Sequence, residues 1–230
     1  LLHEYNDANG FNVIGSDIAS FSLTTGSPVL KSVKATPSTR ALSTPIWGAA
    51  VTTDSNYTYI YGSLNKHEFL VLGNYYYVAR VAKGSDITVT SNWRYWDGTV
   101  WSNNQSAATH VITGVDGPGT NATVYKTSTG YMLVSKANDV FGTDLNYWTA
   151  TTPTGPWIPG IAPLVAPIPG VDTANGENTY LGLAHPTQKL ASGKMLVSWS
   201  FNSYSASFFG NPRYGVYFSE VSLPANLMKK

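Results

Sequence analysis

Apolar and polar positions fall into short runs broken by Gly, Pro, Asn, Asp and Ser, and no stretch sustains an apolar period of 3.6 residues. The runs predict strands almost throughout. Only Glu68 to Leu72 and Pro224 to Lys229 look helix-like. One arrangement recurs three times: an apolar strand, a turn, and a second strand dense in Tyr, Val, Ile or Trp. The first copy is Ile46 to Val51, a turn over Thr52 to Asn56, then Tyr57 to Gly62. The second is Ala122 to Lys126, Ser128-Thr129-Gly130, then Tyr131 to Ser135. The third is Leu181 to Pro186, Ala191-Ser192-Gly193, then Lys194 to Trp199.

The copies lie about 60 to 75 residues apart, the length of one large blade of a β-propeller. A propeller gathers its innermost strands around one axis, so distant residues converge on one pocket. The expectation is an all-β chain forming a single propeller domain over residues 1–230. Residues 1–45 hold a partial blade, with Phe11 to Ile14 and Asp17 to Leu23 as two outer strands and 24–44 as a long Thr/Ser/Pro connection. Residues 46–110 form a blade whose later strands are Tyr75 to Val81 and Trp93 to Trp96, with Asp97-Gly98 as a turn before Val100-Trp101. In Tyr75-Tyr76-Tyr77, alternation predicts one packed face and one solvent face. Residues 111–176 form a blade with Leu145 to Ala150 as third strand, closing on Pro153 to Trp157. Its connection, Pro159 to Gly176, is too apolar for a free linker and is expected to lie on the body. Residues 177–224 form the last blade, with Tyr214 to Phe218 as third strand.

Three blades and part of a fourth do not close a ring, and an open propeller leaves a long unpaired edge. Either the chain is a fragment of something roughly 100 residues longer, or a second chain carries the N-terminal blade. The start at Leu1-Leu2-His3-Glu4, without Met or a basic stretch, suggests a processed or truncated product.

Composition narrows the class. Hydrophobic residues make up 43%, aromatics 13% and charged residues 12%, about half the charge of an average domain. Ser, Thr, Asn and Gly carry the polar load, a bias commoner in secreted proteins. Three sequons, at Asn56, Asn104 and Asn121, add weak support for an extracellular glycoprotein. Net charge is +1 with no basic stripe, which argues against nucleic acid. No run approaches the ~20 apolar residues that span a membrane. The chain has no Cys, which excludes disulfides, thiolate metal sites and a Cys nucleophile. No Gly-rich phosphate loop or nucleophile elbow is present; Gly117-Pro118-Gly119 lacks the Lys of a P-loop.

Several segments in order carry a family resemblance. They are Trp47-Gly48-Ala49-Ala50-Val51, Tyr59-Ile60-Tyr61-Gly62, Val78-Ala79-Arg80-Val81, Trp93 to Gly98 and Trp101. Thr152 to Trp157 resembles a blade-closing phrase. Leu183-Ala184-His185-Pro186, Ser192 to Ser198 and Asn202 resemble a last-blade signature. Together, over about residues 11–223, they resemble a secreted five-bladed propeller family. It was first catalogued as a domain of unknown function and is grouped with endo-D-arabinanases and with arabinanase- and invertase-like glycoside hydrolases. The resemblance implies an incomplete five-bladed propeller holding the C-terminal three blades and part of the second. The N-terminal blade, which in such hydrolases carries an Asp acting as base or nucleophile, lies outside it. Where the family often has a Glu in the second-blade inner strand, this chain reads Thr120-Asn121-Ala122-Thr123, a departure that favours binding over catalysis.

Glycoside hydrolysis needs two carboxyl groups flanking the scissile bond. Carboxylates near the starts of inner strands are the candidates: Asp116, in an Asp-Gly pair that is equally a turn signature, and Glu177, equally a solvated loop residue. His185, inside an apolar strand, either points to the axis, where it orients water, a metal or a carboxylate, or is a buried structural residue. Asp54 and Asp97 read as turn residues, Asp139 and Asp144 as loop residues. Sugars stack on aromatic rings, which makes Trp47 and Tyr180, on or beside inner strands, candidates for substrate contact, with Asn121 as a third. One His without clustered carboxylates is no metal site; no cofactor is expected, and calcium is possible but not indicated.

Three readings stay open. The first is an extracellular glycoside hydrolase, or a descendant of one, acting on arabinose-type polysaccharide. The second is a non-catalytic, lectin-like propeller, and the third a structural subunit pairing through its sheet edge.

Overall fold

The structure is a computed structural model. It describes residues 2–6, 12–24, 26–38, 44–168, 177–191, 193–203 and 214–223. The described strands form four antiparallel sheets. The first contains β1 (Leu2–Asn6), β2 (Asn12–Ser22) and β3 (Val29–Ala35). The second contains β4 (Ile46–Thr53), β5 (Tyr57–Leu64), β6 (Tyr75–Ala82), β7 (Arg94–Trp96) and β8 (Trp101–Ser102). The third contains β9 (Thr123–Lys126), β10 (Tyr131–Lys136), β11 (Leu145–Ala150) and β12 (Ile158–Pro159). The fourth contains β13 (Glu177–Ala184), β14 (Lys194–Ser203) and β15 (Tyr214–Ser222). Each is a meander in which neighbours in sequence pair.

Burial on both faces is what arranges them. In β5, Tyr59 and Tyr61 pack to one side while Ile60 and Leu64 pack to the other. In β10, Tyr131 and Leu133 join one core and Met132 and Val134 another. One core fills the space between the second and third sheets, and one the space between the third and fourth. A third lies on the far face of the second sheet, where Ile18 of β2 reaches it. A strand covered on both sides needs no polar face, so these strands read as continuous apolar runs. For that reason Tyr75-Tyr76-Tyr77 departs from its expected alternation: all three are buried, at 8, 0 and 8% exposure.

Successive sheets are stitched where their leading strands approach. Ser16 Oγ donates to the Trp47 carbonyl at 2.6 Å. Ala122 N–H donates to the Ala49 carbonyl at 2.9 Å. Thr123 Oγ1 donates to the Ala184 carbonyl at 3.0 Å and accepts from Ala184 N–H at 3.1 Å.

The N-terminal region differs from its expectation. Asn12–Ser22 is one strand, with Gly15 at an irregularity in its pairing with β1. A further strand, β3, lies inside the presumed connection. It is exposed along almost its whole length although Val29, Leu30, Val33 and Ala35 are apolar, so its composition and its burial disagree. Glu68 to Leu72 is a turn, and Pro224 to Lys229 lies outside the described residues. The connection after β12 lies partly on the body: Val165 bridges to Leu145 and Ile168 is buried, whereas Ile161 is fully exposed. Its remainder, with Val171, lies outside the described residues.

Candidate functional site

Where β5, β10 and β14 end and β9 begins, with Val13 of β2 and Tyr180, Leu181 and Gly182 in the middle of β13, the four sheets border a cavity of about 700 Å3. Asn65, Thr120, Asn121, Lys136, Asp139, Tyr180 and Asn202 give it polar walls, and Leu72, Val140, Phe141 and Leu181 add apolar side chains. The last four are all exposed, so the cavity combines half-buried polar residues and the buried Lys136 with an apolar rim.

The turn after β10 builds one wall. Asn138 and Asp139 both take left-handed backbone angles, φ 56° and 50°, which short polar side chains tolerate best. The chain ahead of β9 is zipped onto this turn: Gly119 N–H donates to the Lys136 carbonyl at 2.8 Å, and Asn138 N–H to the Gly117 carbonyl at 3.0 Å. The Asp139 carboxylate locks the join. Its Oδ2 accepts from Thr120 N–H at 3.0 Å, Thr120 Oγ1 at 2.5 Å and Asn74 Nδ2 at 3.0 Å. Tyr76 from β6 donates to the Gly119 carbonyl at 2.8 Å. Burial, and then the charge of Asp139, push its phenol well above the usual range, so it stays a donor.

Lys136 ends the apolar run of β10 and is 2% exposed. Its Nζ donates to the Asp139 backbone carbonyl at 2.5 Å, not to the carboxylate already held by Thr120 and Asn74. Burial lowers the ammonium pKa to about 8, and the Asp139 charge opposes that only in part.

Six non-glycine residues with positive φ are found among the described residues: His67, Leu70, Asp116, Asn138, Asp139 and Leu181. All lie on segments that lead into the cavity lining. Each costs on the order of 1–3 kcal/mol unless its side chain compensates, and such strain gathers at functional sites. Leu181 is the clearest case. It sits at an irregularity in the pairing of β13, between Tyr180 and Leu183, and β4 has the same irregularity between Trp47 and Ala50. There the left-handed position is Gly48, φ 109°; in β13 it is Leu181, φ 54°. Leu181→Gly is therefore expected to leave stability unchanged or raise it by up to about 1 kcal/mol. A urea-unfolding midpoint checks this, and a loss above about 1 kcal/mol would mean packing holds Leu181.

Of the residues singled out from sequence, Asn121 and Tyr180 line the cavity. Trp47 does not: it is 0% exposed, edge-on to Trp93 at 5.8 Å, and a ring enclosed by core cannot stack on a sugar. Asp116 is exposed on a turn outside the lining, its Oδ1 accepting from Asn138 Nδ2 at 3.4 Å. His185 lies past the other end of β13, with Nε2 2.8 Å from Ser198 Oγ and its ring 5.7 Å from Phe218. Glu177 opens β13 opposite Ser203, and its side chain lies outside the described residues. Lys136 and Asp139 had no assigned role. The available signal was a lysine closing the apolar run Met132-Leu133-Val134-Ser135, with an Asn-Asp turn directly after it.

A wider groove of about 1110 Å3 runs between β11, the segment after it and β15. Tyr147, Thr149, Ser219 and Ser222 are among its lining residues, and Glu220 is the sole charged one. Among the described residues no group of three or more His, Asp or Glu is placed to hold a metal ion, and no helix is long and apolar enough to cross a membrane.

No curated protein matches the chain. A family model described as a domain of unknown function (DUF5005) matches residues 1–220. That match spans nearly the whole sequence, and the chain belongs to this domain-of-unknown-function family.

Proposed function

We propose that this is a glycan-binding propeller. Its four sheets are blades of a five-bladed ring, and the cavity at their leading strands takes an arabinose-type polysaccharide in an extracellular setting. One observation carries the reading. Amide, hydroxyl and phenol groups from separate sheets converge on the cavity, while Asp139 is the sole carboxylate among its described lining residues. Hydrolysis needs two carboxyl groups free to act. Oδ2 of Asp139 already holds three donors. A sugar hydroxyl suits Asn202 Oδ1, which is buried with no partner, an acceptor awaiting a donor. The fifth blade lies beyond these four sheets, on a second chain or on further sequence.

Of the three sequons, Asn56 and Asn104 are exposed, whereas Asn121 is half-buried in the cavity. An attached glycan at Asn121 would fill the site, so modification is expected at the first two only. Peptide mapping of secreted protein checks this.

Isothermal titration with arabino-oligosaccharides, run beside an assay for new reducing ends, tests the proposal. Saturable binding without release is expected. Steady release would restore the hydrolase reading, and absence of binding across a broad glycan set would overturn both.

A further inference from the structure

We propose that the cavity prefers acidic glycans, taking the carboxylate of a uronic acid residue against Lys136. This rests on the glycan-binding reading and names the sugar class.

The argument starts from how the two buried charges are partnered. Lys136 is almost wholly buried, and an ammonium carries three N–H donors. One goes to the Asp139 backbone carbonyl. The obvious counter-ion, the Asp139 carboxylate, is turned to Thr120 and Asn74 instead. The cavity lining thus holds a buried cation whose neighbouring carboxylate has its Oδ2 engaged by three other donors and offsets the cost of burial only in part. The unpartnered Asn202 Oδ1 in the same lining would accept from a neighbouring sugar hydroxyl. A ligand that brings one carboxylate and several hydroxyls would pair with both groups. A neutral sugar matches only the second.

Around Lys136, the titratable groups on packed elements are Asp139 on the same turn, Tyr180 of β13, Tyr76 of β6 and Asp144 ahead of β11. Binding a carboxylate requires Lys136 to be charged. Its amine loses the proton as pH rises through about 8, so affinity should be flat below pH 7 and about tenfold weaker at pH 9. The uronate itself stays ionised throughout that range.

The test is titration of the whole protein with uronate-containing oligosaccharides and, for each, its carboxyl-reduced neutral form. The acidic member is expected to bind at least tenfold tighter, to show the fall above pH 8, and to lose its advantage in Lys136→Met. Should that variant fail to fold, the pH series on the unaltered protein still decides, because only the acidic ligand should show the fall. Equal affinity for the two forms overturns the inference and leaves the glycan reading standing. Binding of neither overturns the glycan reading itself. Full displacement of the acidic ligand by inorganic phosphate would mean an unselective anion site, and would also overturn the inference.

Discussion

Asp139→Ala is expected to lower stability by about 3–4 kcal/mol and to abolish ligand binding at the cavity. The carboxylate is the joint between the segment ahead of β9 and the turn after β10. Its loss leaves Asn74 Nδ2, on a residue only 3% exposed, with a single 3.4 Å bond to the Pro118 carbonyl, and takes the shared acceptor from the N–H and hydroxyl of half-buried Thr120. Each buried donor left unpaired costs about 1–3 kcal/mol. Alanine is also a poorer occupant of the left-handed position, φ 50°, adding about 1 kcal/mol. Asp139→Asn keeps an acceptor oxygen and tolerates that backbone, so it should cost about half as much. Urea unfolding of the two variants measures the difference. A cost below about 1 kcal/mol for Asp139→Ala would mean the turn is held without the carboxylate.

Trp47→Ala should cost about 3–5 kcal/mol, the range for emptying a buried large side chain. The indole is fully enclosed and contacts Trp93 and Tyr95, with ring centroids 5.8 and 5.5 Å away. It also presses on Gly62, where a β-carbon would meet ring atom Cε3 at 2.9 Å. Binding measured on whatever folds should be unchanged, since the ring faces no cavity. Thermal unfolding and a glycan titration separate the two roles. Normal stability with lost binding would return Trp47 to the ligand site.

The repeated strand pairs were readable because turn residues bracket each of them and both strands are apolar: Thr52 to Asn56 between β4 and β5, and Ser128 to Gly130 between β9 and β10. What single-strand patterns could not carry was which faces would be covered. Tyr75 to Tyr77 and Trp47 were therefore placed nearer solvent than they lie. β3 does carry apolar residues, Val29, Leu30 and Val33, but they lie exposed inside a stretch rich in Thr, Ser and Pro that reads as a connection. Asn121 and Tyr180 were reachable by asking which residues stand near the starts of leading strands. Lys136 and Asp139 were not. Their importance comes from two left-handed residues and from hydrogen bonds to Thr120 and Asn74, 19 and 65 positions from Asp139 in sequence.

The central claim is that the ligand sits in the cavity between the leading strands and not elsewhere on the sheets. Glycan titration of Tyr180→Ala and Asn202→Leu beside Asp116→Asn and His185→Ala tests it most directly. The account predicts at least tenfold weaker binding for the first two and unchanged binding for the last two. Loss of binding in Asp116→Asn or His185→Ala, with Tyr180→Ala and Asn202→Leu intact, would contradict it.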